Sequence, residues 1–469
     1  MPHKSKPPAL ESLLDAFADV SDPRVARTRA HPLVNVLTMA LFGAISGADG
    51  WEALELFAAE RADFFATFLE MPRGAPSADA FRRVFEALDP QAFQDAFRRW
   101  LKPFLNDMEG KSVAMDGKTL RGAIARSGLD GGAFHIMHVW ATEQQLLLGQ
   151  KAVQGAPGEV QAAIELLKLL DPKGATVTAH ANSCTAAITT AVREAGADYV
   201  LALKGNRSAL HSHVQKLFSD AAEAGHPGVK RFESDDEGHG RSEYRLVRAL
   251  PLGELPSRMK APWTDLKTAV LVERVRTTDK TTLDRAYYIT SHAADPKLLA
   301  ARIRGHWSIE NQLHHCLDVT FDADRRRIHD EHAAQNFALV TRYALSLLKR
   351  EPSKMRVAMK RRTAAWGKTF LLDVLSYGFP QVWMRSPWEP PRAPPFGEAR
   401  GDDDAAGQLA SPTTNTPSIG SPGGTRHGDR ESVRPGAVAP HRSVVNGSGR
   451  AGPADPLRHG PAATWRRHG

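Results

Sequence analysis

Cysteine is nearly absent from this sequence: Cys184 and Cys316 are the two examples among 469 residues. Two thiols build neither a disulfide framework nor a four-cysteine zinc site, which favours a reducing, cytoplasmic compartment. Long apolar runs are also missing, because the most apolar stretch, Pro32 to Ala48, is shorter than a membrane span and contains asparagine and glycine. The first twenty residues lack the apolar core of a secretory signal. We therefore expect no membrane partner.

Positive charge is in moderate excess. The chain carries 61 lysines and arginines against 53 acidic residues, which gives a net charge of +8 and a pI near 9.4. Residues 386–469 hold ten arginines and eight acidic residues, a net of only +2, so most of the excess lies in the rest of the chain. A basic folded part favours a polyanionic partner.

The chain divides into three regions by composition and periodicity. Residues 1–108 show apolar residues at helical spacing, over Leu10 to Val20, Leu33 to Leu69, a helix opening near Ser77, and Gln91 to Leu105, and predict an N-terminal helical domain. A plain helical domain and one that binds DNA ends both fit this pattern. Residues 381–469 are rich in Pro, Gly, Ser, Thr and Arg and predict a disordered tail.

Residues 109–380 predict an α/β domain. A short strand, Ser112 to Met115, precedes two strands that alternate around a turn, and then helix, strand, helix and strand follow up to Leu203. The order βββαβαβ predicts a mixed sheet, antiparallel first and joined by crossover helices afterwards, which is the RNase H-like order. A β-rich insertion at about residues 207–290 precedes a helix that begins at Pro296 and continues past Glu310.

Two carboxylates stand out as candidates for chemistry. Asp116 follows the first strand, where ligand-binding groups collect in α/β sheets. Glu310 lies on the late helix between His306 and His314, and these three residues recur every four positions and so share one helical face. Divalent ions held by carboxylates cleave phosphodiesters by activating a nucleophile and stabilising the leaving oxygen, and Mg²⁺ prefers such oxygen ligands.

Several ordered motifs together resemble one family. They are SDPR at Ser21, MDGKTLRG at Met115, GADYVLALKGN at Gly196, GHGR at Gly238, and HWSIENQLH at His306 followed by LDV at Leu317. Over about Leu10 to Phe379 the chain is similar to the H-repeat-associated transposases of bacterial insertion sequences, which have a DDE catalytic core of RNase H-like fold.

This resemblance implies metal-dependent DNA strand cleavage and transfer, with Asp116 as the first acid, Glu310 as the third and Mg²⁺ or Mn²⁺ in a two-metal site. The second acid is missing, because the sequence reads Thr-Ala-His-Ala and His180 stands where the family has aspartate. The resemblance also implies double-stranded DNA as partner, a homo-oligomer on DNA, and DNA or carboxylate contacts from five cations: Lys118, Arg121, Lys204, Arg241 and Arg304.

Other departures from the family pattern accumulate at Gly158, Arg207 and Ala323, where the family has asparagine, glutamine and glutamate. They leave two alternatives to an active transposase. One is a catalytically inactive relic that still binds DNA, for which position 180 is the discriminator. The other is a zinc-dependent hydrolase that uses His306, His314 and His180 with Glu310.

Overall fold

The computed structural model describes residues 7–104, 108–124, 133–153, 155–238, 241–253, 255–278 and 280–377. The expected tail over residues 381–469 lies outside the described residues. Among those residues, six helices open the chain: α1 (Pro8–Ala18), α2 (Leu33–Ser46), α3 (Trp51–Glu60), α4 (Ala62–Phe65), α5 (Ala78–Ala87) and α6 (Pro90–Leu101).

Local sequence sets the ends of these helices. The Ser77 hydroxyl accepts a hydrogen bond from the Ala80 amide at 3.2 Å, and the Asp89 carboxylate caps α6 in the same way. Such caps satisfy amides that have no partner inside the helix. The predicted helix Leu33 to Leu69 is broken, because Gly47 adopts a left-handed φ of 104° that ends α2.

Nine strands of the described residues form one mixed sheet in the order β3-β2-β1-β4-β5-β9-β8-β7-β6. The strands are β1 (Ser112–Ile124), β2 (Ala133–Ala141), β3 (Leu146–Val153), β4 (Thr176–Ala179), β5 (Asp198–Leu203), β6 (Lys230–Gly238), β7 (Arg241–Pro251), β8 (Thr268–Thr277) and β9 (Thr281–Thr290). The first three strands are antiparallel, and β1, β4 and β5 run parallel. The RNase H-like mixed α/β fold predicted from the sequence is confirmed.

Helices α7 (Gly155–Leu170) and α8 (Ala186–Glu194) make the two crossovers, and α9 (Ser208–Glu223) and α10 (Ser257–Lys260) lie in the insertion. The insertion extends the sheet, because β9 pairs antiparallel with β5 and the other three strands follow outward. The insertion therefore leaves the first five strands in their RNase H-like order and lengthens one side of the sheet.

The late helix lies across the sheet in three parts: α11 (Pro296–Ser308), a π-helical segment (Ile309–His314) and α12 (His315–Thr320). Asp295 caps its start. Arg302 joins α11 to the start of β1 through the Ser112 hydroxyl at 2.9 Å and the Glu143 carboxylate at 3.2 Å. These contacts fix the helix over the middle of the sheet.

Helices α13 (Glu331–Arg350), α14 (Val357–Trp366) and α15 (Lys368–Ser376) complete the described chain. The N-terminal helices share a hydrophobic core with α13, where the Trp51 and Phe337 rings meet edge to face and Phe97 stacks on Tyr343. No single described helix has the length and hydropathy of a membrane span. Helices α2 and α3 have that length and hydropathy only when they are counted together, and a bend of 98° separates them.

Candidate active site

Asp116 lies inside β1, since this strand continues to Ile124 instead of ending at Met115 as the sequence suggested. The extension pairs with β2 alone, whereas the parallel pairing with β4 stops at Met115 opposite Ala179. Asp116 is therefore the first residue of β1 beyond the parallel pairing. Its side chain is 18% exposed.

His180 is the residue that follows β4, so the parallel register places it next to Asp116, where the pairing of the two strands stops. The His180 Nε2 atom lies 3.8 Å from the Asp116 Oδ1 atom. The same nitrogen lies within hydrogen-bond distance, 3.0 Å, of the Glu310 Oε1 atom. His180 thus joins the two carboxylates that the sequence singled out.

Glu310 occupies the second position of the π-helical segment. Such segments are rare and occur often at functional sites, because they shift one turn of side chains relative to the helix around them. Ligand atoms of Asp116, His180 and Glu310 all lie within 4.8 Å of one another. The two carboxylates that the resemblance assigns to one metal site are therefore close enough to hold an ion together.

Burial raises the pKa of Asp116 to about 6, and the nearby charges of Glu310 and Glu159 act in the same direction. A hydrogen bond from the Gly117 amide opposes this rise, as would a proton on His180. A buried carboxylate with raised pKa indicates a site that gains from a bound cation.

The two other histidines of the late helix lie at the edges of the cluster. The His306 Nδ1 atom is 2.9 Å from the Thr178 hydroxyl, and the His306 ring meets the His180 ring edge to face. The His314 Nδ1 atom lies 3.4 Å from the Asp116 Oδ2 atom. Burial lowers the pKa of each ring to about 3, so both are neutral near pH 7.

A second layer of polar groups supports His314 from inside the fold. His138 on β2 is fully buried and meets the His314 ring edge to face at 5.3 Å between ring centroids. The Arg342 Nε atom of α13 donates to the His138 Nε2 atom at 2.7 Å. Burial and the charge of Arg342 hold the pKa of His138 well below its usual value. Asp116 is therefore held on its inner side by neutral rings.

The five predicted DNA-contacting cations occupy different environments. The Lys118 ammonium is 9% exposed and lies 2.7 Å from Asp318 and 3.6 Å from Asp324. Exposed Arg304 pairs with Asp236 at 2.7 Å, and Lys204 is exposed at the end of β5. The side chains of Arg121 and Arg241 lie outside the described residues. Roles in phosphate binding stay predictions for all five.

Sequence reasoning missed a pair next to the cluster. The His135 Nε2 atom lies 2.8 Å from the Glu159 Oε1 atom, and a β-carbon on Gly117 would stand 2.2 Å from the same nitrogen. The absent side chain at Gly117 thus lets this pair approach Asp116. The glycine immediately after the aspartate was the one available sign of such a close approach.

The donor atoms decide which metal arrangement the cluster fits. Two carboxylates and one imidazole within 4.8 Å of one another suit one divalent ion. A second ion would need a further bridging oxygen, and the imidazole of His180 offers one nitrogen and no negative charge. Among the described residues, His306 and His314 do not join this ligand group, so the constellation expected for a zinc hydrolase is not formed.

Comparison with known proteins gives a consistent result. A family model described as "Transposase DDE domain" matches residues 109–347, and one described as "DDE_Tnp_1-associated" matches residues 14–101. "Putative transposase YncI" of Escherichia coli O157:H7 is 31% identical over 373 residues, which covers 78% of this chain and 95% of the relative.

Two further similarities complete the comparison. "H repeat-associated putative transposase YhhI" of Escherichia coli K12 is 28% identical over 78% of this chain and 98% of its own length. Among solved structures, a piggyBac transposase synaptic complex with hairpin DNA covers 84% of this chain and 88% of its own, at 10% identity and a TM-score of 0.38. That structural similarity is too low to support an inference.

Proposed function

Because the chain belongs to the DDE transposase family, whose domains use divalent metal ions, we propose that it cleaves and transfers DNA strands at the ends of an insertion sequence. The observation that supports this proposal is the convergence of Asp116, His180 and Glu310 within 4.8 Å. These residues come from two parallel strands and a helix that are far apart in the sequence, and a purely structural role gives no reason to gather them.

The two carboxylates have separate tasks in this proposal. Asp116, which is mostly buried and held from inside by His314, is the fixed ligand, and Glu310, 38% exposed, faces the DNA. A divalent ion between them would lower the pKa of an attacking water or hydroxyl and stabilise the leaving oxygen. His180 supplies a nitrogen ligand and favours Mn²⁺ over Mg²⁺. A site with this donor set is slow in Mg²⁺.

The remaining parts of the chain follow from this role. We propose that residues 1–108 bind the DNA ends and that residues 109–380 carry the catalytic domain with its insertion at about residues 207–290. Double-stranded DNA of the element ends and of the target is the partner, and two ends must be held together, which favours a homo-oligomer on DNA. Such a bacterial protein acts in the cytoplasm at the nucleoid.

A catalytically inactive DNA-binding relic is the second candidate. It is favoured by one observation, the His180 Nε2 atom lying 3.0 Å from Glu310 where the family has a carboxylate. A protonated imidazole there would form an ion pair with Glu310 and compete with a metal ion for the same oxygen.

Strand cleavage by the full chain tests the proposal. The chain is incubated with duplex DNA from the element end in Mn²⁺ and in Mg²⁺, beside Glu310→Gln and the control Glu223→Gln, which changes an exposed glutamate at the end of α9. We expect cleavage in Mn²⁺, and a loss of about 100-fold or more in Glu310→Gln with DNA binding unchanged, since the transition state loses its charge stabilisation.

The other outcomes are equally definite. Equal cleavage by Glu310→Gln and the unaltered chain would remove Glu310 from the site. Binding without cleavage in either metal ion would establish the inactive relic.

A further inference from the structure

The segment from Pro352 to Leu372, which contains α14, is the most one-sidedly charged part of the described chain. It holds no acidic residue and six cations: Lys354, Arg356, Lys360, Arg361, Arg362 and Lys368. A surface helix usually mixes charges of both signs, because neighbouring ions of opposite sign stabilise it. A segment with one sign only favours a partner of the opposite sign.

Two of these cations are buried and anchor α14. The Lys360 ammonium donates to the Leu348 carbonyl at 3.0 Å and pairs with the Glu351 carboxylate at 3.0 Å. Arg361 is anchored on the other side, where its guanidinium donates to the Thr320 carbonyl at 2.6 Å and to Asp49 at 2.7 Å. The backbone of α14 is therefore rigidly held against the N-terminal helices and the end of α12.

The other four cations point outward. Lys354, Arg356, Arg362 and Lys368 are exposed, and their side chains have no hydrogen-bond or ion-pair partner among the described residues. Two large apolar side chains lie between them, Met359 at 46% exposure and Trp366 at 77%. Met359, Arg362 and Trp366 are spaced three and four apart, so they share one helical face. We call these six residues the α14 face.

We propose that the α14 face binds the phosphate backbone of duplex DNA during transposition, an inference that rests on the proposed function. The four unpaired cations lie on α14 and on the short segments at both of its ends, where they can contact phosphates and gain affinity by releasing counterions. Trp366 adds apolar contact with the sugars. An acidic protein would also complement the charge of the α14 face. DNA is favoured because a long polyanion can also contact other parts of the folded chain, which carries a net positive charge.

The position of the α14 face relative to the active site sharpens the proposal. Thr320, which Arg361 contacts, lies ten residues after Glu310 on the same late helix. Ten helical residues span roughly 15 Å, and base pairs are stacked about 3.4 Å apart. Met359 and Trp366 lie roughly 140° to 160° around α14 from Arg361, so the α14 face points away from this contact, and a duplex held at Glu310 would reach it more than about five base pairs from the cleaved bond.

The salt dependence of duplex binding tests the proposal. The full chain is compared with Arg356→Gln/Arg362→Gln/Lys368→Gln, using a fluorescein-labelled duplex of the element end between 50 and 300 mM salt. The matched control is Lys168→Gln/Lys230→Gln/Lys280→Gln, which removes the same charge from exposed side chains on α7, β6 and the β8–β9 turn.

Each lost phosphate contact lowers the slope of log affinity against log salt by about 0.9. We expect the α14 variant to lose about 2 to 3 from this slope and at least about tenfold in affinity at physiological salt, while the control keeps the slope of the unaltered chain. Methylphosphonates placed more than about five base pairs from the cleaved bond should weaken binding by the unaltered chain and leave binding by the α14 variant unaffected.

The two hypotheses fail in different ways. If the unaltered chain does not bind the duplex at all, the proposed function fails together with the α14 face. If it binds and cleaves but the α14 variant and the control have equal slopes, only the α14 face is wrong. If Trp366→Ala weakens self-association while the α14 variant binds DNA normally, the face is a protein contact and the proposal is overturned.

Discussion

Replacing His180 with aspartate should make the stability of the site and its strand cleavage depend on Mg²⁺. The new carboxylate would stand about 4 Å from Asp116 and Glu310, and two like charges at that distance repel by about 1 kcal/mol in water and about 4 kcal/mol at an effective dielectric constant of 20. Since His180 and Glu310 are each about a third exposed, values toward the lower end apply. The metal-free His180→Asp protein should therefore lose about 2 to 4 kcal/mol of stability.

A divalent ion should offset this loss of stability. Ligand at one hundred times its dissociation constant stabilises a folded protein by about 2.7 kcal/mol, which raises the melting temperature of a fold of this size by about 3 °C. In thermal unfolding with EDTA or with 10 mM Mg²⁺, His180→Asp should show this rise, and the unaltered chain should show little. Strand cleavage in Mg²⁺ should increase in parallel.

His180→Asn is the matched control, because it has the size of aspartate and no charge. It should neither destabilise the metal-free protein through repulsion nor gain from Mg²⁺. The reasoning is refuted if Mg²⁺ stabilises the unaltered chain and His180→Asp equally, or if the two cleave end DNA equally well. The second ligand would then lie elsewhere, and the correspondence of His180 to the family's second acid would be mistaken.

Two further predictions concern the groups around the site. Lys118→Met should lower the free energy of unfolding by about 1 to 3 kcal/mol, because it leaves the carboxylates of Asp318 and Asp324 without their shared cation; an unchanged urea midpoint would contradict the ion pairs. His138 is held neutral in the fold by burial, so below about pH 6.5 the unfolded chain gains a proton that the folded chain does not, and stability falls by up to about 1.4 kcal/mol per pH unit. His138→Gln should reduce that fall between pH 7 and pH 5 in urea denaturation, and an equal fall in both proteins would show that His138 does not contribute.

The core strands could be predicted because their sequences alternate apolar with polar residues or form short apolar runs. The predicted strand Leu146 to Val153 has the bounds of β3, and the predicted strands Ala175 to Ala179 and Tyr199 to Leu203 are within one residue of β4 and β5. Strand β6 was missed for a physical reason: it lies at the edge of the sheet, its residues are mostly charged, and neither face is buried. Without a buried face a strand carries no alternating pattern.

The candidate site was predictable in its residues and not in its contacts. Asp116 and Glu310 stood out because carboxylates followed a strand or lay on a polar stripe of a helix. Lys118 pairs with Asp318 and Asp324, which follow Glu310 in the sequence. These ion pairs depend on long-range packing, which leaves no local pattern in the sequence. The π-helical segment could not be predicted from the sequence either, since its residues also fit an ordinary α-helix.

The π-helical segment has a consequence for how this chain tolerates insertions and deletions. One residue more than an α-helix would hold lies between α11 and α12, and each helical residue turns the following chain by about 100°. Deleting one residue there would let the segment close into a regular α-helix, so α12 would keep its orientation, with Leu317 in the core and Asp318 beside Lys118. Even a deletion that spares Glu310 should therefore move the Glu310 carboxylate away from His180, whereas most substitutions at the same positions change one side chain only. Length, more than composition, is the property that this stretch of chain must conserve.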